Sequence, residues 1–72
     1  MVFEKIQAII ADKLDIPAED ITMESSFNDM QADSLYMVEI MLCIEETFNI
    51  TIEDASGMET VADLCGYVEN RM

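Results

Sequence analysis

Apolar residues recur along the 72-residue chain at steps of three and four, the period of a helix with one buried face. Phe3, Ile6, Ile10 and Leu14 follow this rhythm and predict an amphipathic helix over residues 2–14. Pro17 then disfavours helical geometry at Ile16 and imposes an extended exit. Residues 15–33 show no period and read as a long irregular connection, with Ile16, Ile21, Met23 and Phe27 as anchors to the core. Structureless connections of this length are uncommon in compact domains and often functional. Asp33 is a good helix N-cap, so a second helix is expected over 34–48. Residues 49–59 form a further connection, with one short helical turn expected near Glu53–Ala55. Thr60-Val61-Ala62-Asp63 resembles a capping box and opens a final helix, whose inward face would be Val61, Leu64, Tyr67 or Val68. Strand-like alternation occurs only around Ile50 and Ile52, over too few residues for a sheet. The expected fold class is all-α.

The second helix carries two apolar faces. At about 100° per residue, Met37, Ile40, Met41, Ile44 and Phe48 fall on one arc, which is the expected core face. Leu35 and Leu42 lie on the opposite side with Glu39 and Glu46, while Val38 and Glu45 sit between that group and Ser34. A central helix can bury several faces, which would make both leucines core. Burying unpaired carboxylates is costly, however, and this chain has few cations to pair them. An exposed strip of Leu35, Val38 and Leu42, edged by Glu39, Glu45 and Glu46, better fits a docking surface. Its partner would offer an apolar groove rimmed by Arg and Lys.

Composition sharpens this picture. Apolar residues make up 51% of the chain, enough for a small packed core and too many for disorder. Seventy-two residues support a single domain, 1–72. No apolar run approaches the ~18 residues of a membrane span. Glu4 and Lys5 interrupt any signal-like stretch at the start, so a cytoplasmic location is expected. Sixteen acidic residues face three basic ones, Lys5, Lys13 and Arg71, for a formal net charge of −13. All the acidic residues except Glu4 and Asp12 fall where no cation intervenes. Nucleic acid and anionic membrane surfaces are thereby excluded as partners, and basic protein surfaces are favoured. Cys43 and Cys65 are too few and too far apart for a disulfide framework or a zinc site, and read as small hydrophobes.

Ser34 opens the second helix within Gln31-Ala32-Asp33-Ser34-Leu35. An ordinary serine at a helix start would be the default reading. Catalysis by its own hydroxyl is disfavoured, because the chain contains no histidine to act as base. A serine that cannot attack unaided can still be modified by another enzyme. Its place suits a phosphate product, since free backbone N–H groups and the helix dipole favour an anion there.

Along essentially its whole length the sequence resembles the acyl carrier proteins of dissociated fatty acid and polyketide synthesis. Their attachment motif, Asp-Ser-Leu, stands here as Asp33-Ser34-Leu35. The tripeptide alone is weak, but Phe27 before it, then Val38-Glu39, Glu45-Glu46, Phe48, Ile52 and Asp54 after it, stand at family-like spacing. Ile16 through Ile21, with Glu19-Asp20, resembles the family's passage from first helix to long loop. The resemblance implies a four-helix bundle with a short third helix and a long loop between helices one and two. It implies 4′-phosphopantetheine, moved from coenzyme A to Ser34 by a phosphopantetheinyl transferase, with Asp33 helping to position the transferase's magnesium. It implies docking to basic patches on acyl-transfer and condensing enzymes through Leu35, Val38, Glu39, Leu42, Glu45, Glu46 and Asp54. It also implies an acyl chain lodged among Ile40, Ile44, Phe48, Ile52, Val61 and Leu64, residues that plain core packing would equally explain. The chain itself would be a monomeric carrier and not an enzyme.

The sequence departs from the family pattern at four places. Gln31 replaces a usual glycine, and the loop from Phe27 to Asp33 is one residue short; a shortened loop need not keep a positive φ there. Tyr36 stands where a carboxylate is common. Thr47, Asn49 and Thr51 replace residues that are often acidic, and Glu53 sits where proline is frequent. The alternatives are a D-alanyl or aminoacyl carrier, or an unmodified acidic interaction module.

Overall fold

The computed structural model describes residues 2–53 and 57–72. Three α-helices and one 3-10 turn account for the regular structure: α1 (Val2–Leu14), the turn Ala18–Asp20, α2 (Ser34–Phe48) and α3 (Val61–Arg71). The fold is all-α, with no strand among the described residues. The short third helix expected near Glu53–Ala55 falls largely on residues 54–56, outside the described residues.

Each boundary follows from local chemistry. The chain leaves α1 through Asp15 in the left-handed region (φ 56) before Pro17. The Gln7 amide then donates to the carbonyls of Ala18 (2.7 Å) and Ile21 (2.9 Å), tying the 3-10 turn onto α1. Asn49 ends α2 in the left-handed conformation, with its N–H donating to the Glu45 carbonyl. At α3 both halves of the capping box form: Thr60 Oγ1 accepts from Asp63 N–H, and the Asp63 carboxylate accepts from Thr60 N–H and Glu59 N–H.

The helices share a core of Ile6, Ile10, Ile40, Met41, Ile44, Val61, Leu64, Cys65 and Val68, closed by Ile21 and Phe27 from the long connection. α1 packs against both α2 and α3. No polar or charged side chain is buried among the described residues. The inward face of α3 runs through Cys65 and Val68, and Tyr67 is half-buried.

Of the four expected loop anchors, Ile21 and Phe27 are buried, Ile16 is half-buried, and Met23 is exposed. Met23 anchors through its backbone instead, its carbonyl accepting from Ala62 N–H at 2.9 Å. Beside it, Ser25 C=O accepts from Val61 N–H and Phe27 N–H donates to Glu59 C=O, both at 3.0 Å. An isolated antiparallel bridge pairs Ser26 with Thr60. The long connection is thus stitched to the start of α3.

Candidate functional site

The approach to α2 is a compact turn over residues 26–32. Ser26 Oγ accepts from Asn28 and Asp29 N–H, and Ala32 N–H returns to Phe27 C=O at 2.9 Å. Gln31 closes this turn with φ 59. The expectation that the shortened loop dispenses with a positive φ is therefore corrected. The turn still needs a left-handed residue to bring Ala32 back to Phe27, and Gln31 adopts that conformation despite its Cβ.

Asp33 follows in extended geometry and caps α2, its Oδ1 accepting from Tyr36 N–H at 3.1 Å. Ser34 is then the first helical residue, exposed at the tip of α2. Lys5 packs its ammonium over the Phe48 ring, 5.9 Å from the centroid. Phe48 closes the other end of α2, about 21 Å from Ser34 at 1.5 Å per residue. Ser34 therefore stands open to an external enzyme, with Lys5 held far away. Among the described residues no three His, Cys, Asp or Glu side chains gather as metal ligands.

Below Ser34 the outer side of α2 is apolar and acidic together. Leu35, Val38 and Leu42 are 68%, 55% and 54% exposed, so they belong to the surface and not to the core. Glu39 and Glu46 are exposed beside them. Glu45 differs: it is half-buried, and its Oε2 accepts from Ile52 N–H at 2.7 Å. Asp54 lies outside the described residues.

Open space lies beside this strip. A groove of about 310 Å³ is lined by Met37, Val38, Met41, Leu42, Glu45, Ile52 and Glu53. Of the six side chains expected around an acyl chain, only Ile52 lines it. Ile40, Ile44, Val61 and Leu64 are fully buried in the closed core, and Phe48 is half-buried against it. The helical period placed Met37 and Met41 on the core arc; it could not show that their outer edges face a groove, because the opposing wall comes from residues 52–53.

Residues 4–68 match the family described as phosphopantetheine attachment site. An acyl carrier protein of Lactococcus lactis subsp. cremoris (strain MG1363) is 46% identical over 69 residues, covering 96% of this chain and 94% of the relative. An acyl carrier protein of Streptococcus pyogenes serotype M3 is 44% identical over 70 residues, covering 97% and 95%. The chain belongs to the phosphopantetheine attachment family, and within it to the acyl carrier proteins. It is a carrier and not an enzyme, and its cofactor is phosphopantetheine. Membership implies contact with a phosphopantetheinyl transferase and with acyl-handling enzymes. No described helix is long and apolar enough to cross a membrane.

Proposed function

We propose that the Ser34 hydroxyl is the attachment point of 4′-phosphopantetheine, and that the chain carries fatty acyl groups as one cytoplasmic, monomeric carrier domain spanning residues 1–72. The observation that carries this reading is the exposure of Ser34 at the first helical position of a capped helix. A hydroxyl there is open to a transferase, and the helix start stabilises the phosphodiester that forms on it. Asp33 stands next to it with a carboxylate able to assist the transferase's metal. When attached, the group supplies a thiol on which an acyl chain is held as a thioester. The four-helix bundle belongs to the same reading, since the family match runs through the stretch where the short helix was expected.

Docking is assigned to the exposed strip of Leu35, Val38 and Leu42 with Glu39 and Glu46, and to Asp54, against basic patches on partner enzymes. Charge supports this: with a net −13 the surface speeds encounter with cationic partners. Incubation with coenzyme A and a promiscuous transferase should add ~340 Da, a covalent change read by intact mass. Ser34→Ala should abolish that increase. An increase that survives the substitution rejects Ser34 as the attachment residue. Parallel loading with fatty and aminoacyl substrates tests the cargo.

A further inference from the structure

Four backbone N–H groups at the start of a helix find no partner within it. At α3 all four are bonded, from two sources. The capping box takes those of Thr60 and Asp63, while Val61 and Ala62 donate to carbonyls of the long connection. The connection is thus one half of the α3 cap. The two halves meet in a single peptide group, the one between Glu59 and Thr60. Its N–H donates to Asp63 Oδ2 at 3.2 Å, and its carbonyl accepts from Phe27 N–H at 3.0 Å. A peptide group is planar, so a grip on its N–H also aims its carbonyl. The same Asp63 oxygen accepts from Glu59 N–H at 3.0 Å, which restrains the preceding peptide as well. The Phe27 carbonyl in turn accepts from Ala32 N–H at 2.9 Å, and Ala32 leads into Asp33 and Ser34.

We propose that Asp63 is a positioning residue for prosthetic-group transfer, a role that rests on Ser34 being the attachment residue. Through the Glu59–Thr60 peptide and Phe27, it holds the turn that presents Ser34. It sits on a different helix from the serine and acts through the backbone. A carboxylate accepting two N–H bonds is charge-assisted, so it fixes the peptide more firmly than a neutral acceptor. The Asp63 side chain is exposed and adds nothing to the core, so removing it loosens the turn and leaves the packing in place. Val68 is its counterpart on the same helix, fully buried and part of the core. Shortening Val68 weakens the whole fold. The two positions therefore separate general stability from placement of the serine.

The test uses the unmodified full chain and compares Asp63→Ala, Asp63→Asn and Val68→Ala at a temperature where circular dichroism shows each one folded. Asp63→Ala should speed amide exchange at Ala32 about fivefold, the effect of losing one cap interaction. Asp63→Asn should fall between, because its amide oxygen still accepts without charge. Val68→Ala should speed exchange at Ile10 in the core and leave Ala32 unchanged. With a promiscuous transferase and saturating coenzyme A, Asp63→Ala should raise the KM for the carrier about threefold at constant kcat, because fewer molecules present the ordered turn. Val68→Ala should keep the parent KM despite its lower melting temperature. The proposal is overturned if Asp63→Ala leaves Ala32 exchange or KM at the parent value. It is equally overturned if Val68→Ala changes both as much as Asp63→Ala does. Prosthetic group still attached after Ser34→Ala would instead reject the attachment reading, and the role of Asp63 with it.

Discussion

Gln31 shows how much a single backbone angle can matter beside a functional residue. It holds φ 59 so that Ala32 can return to Phe27 and deliver Asp33 and Ser34 to the tip of α2. A side chain in this region costs about 1–2 kcal/mol. Glycine would remove that cost but gain about 0.4–1 kcal/mol of unfolded-state freedom. Gln31→Gly should therefore raise stability by about 0.5 kcal/mol, a rise of ~2–4 °C in melting temperature for a domain of this size. Gln31→Ala, which keeps the Cβ, should leave it unchanged. Thermal unfolding of the two variants checks the pair. Glutamine has no preference for this angle, so only the glycine usual at this position in the family marked it; the turn imposes it from both sides. The same holds for Glu45. Its helical position was legible, but its role depends on an amide seven residues later.

At the scale of elements, the helices were legible and their partners were not. The three- and four-residue apolar steps, Asp33 and the Thr60–Asp63 box place α1, α2 and the start of α3 within a residue of where they lie. The 3-10 turn at Ala18–Asp20 carries no period; its own backbone bonds form it, and the Gln7 side chain ties it to α1. The two faces of α2 were separable because carboxylates mark one of them. The outer face makes its own prediction. Reversing Glu39 and Glu46 to Lys should slow prosthetic-group transfer about tenfold or more, by replacing attraction to basic partners with repulsion. Circular dichroism should stay unchanged, since both side chains are exposed. Stopped-flow or discontinuous loading kinetics, repeated at rising salt, checks this, and unchanged rates would remove the docking assignment.

Over the whole molecule, two effects of pH oppose each other. The net charge of −13 repels itself, so salt or mild acidification from neutrality should raise the melting temperature. Asp63 acts in the other direction. Hydrogen bonds from Glu59 and Thr60 backbone N–H hold its carboxyl below the usual value of 3.8. A depressed folded-state value stabilises above the unfolded value and is lost as pH falls through the folded one. Melting temperature plotted against pH should thus pass through a maximum on the acid side and then fall. Asp63→Asn should lower the curve at neutral pH and converge on the parent protein as pH falls from about 3.8 through the lower folded-state value. Curves that stay parallel throughout would show that the α3 cap is not what fails in acid.

The stitch between residues 23–27 and 59–62 has a bearing on when this protein becomes usable. Three of the backbone groups that shape the loop ahead of Ser34 find their partners at Glu59, Val61 and Ala62. During synthesis residues 59–62 are added only after Ser34, so the serine exists before its loop can close. The surface that an enzyme must read therefore forms only once residues 59–62 are in place, and a shorter nascent chain offers an unformed version.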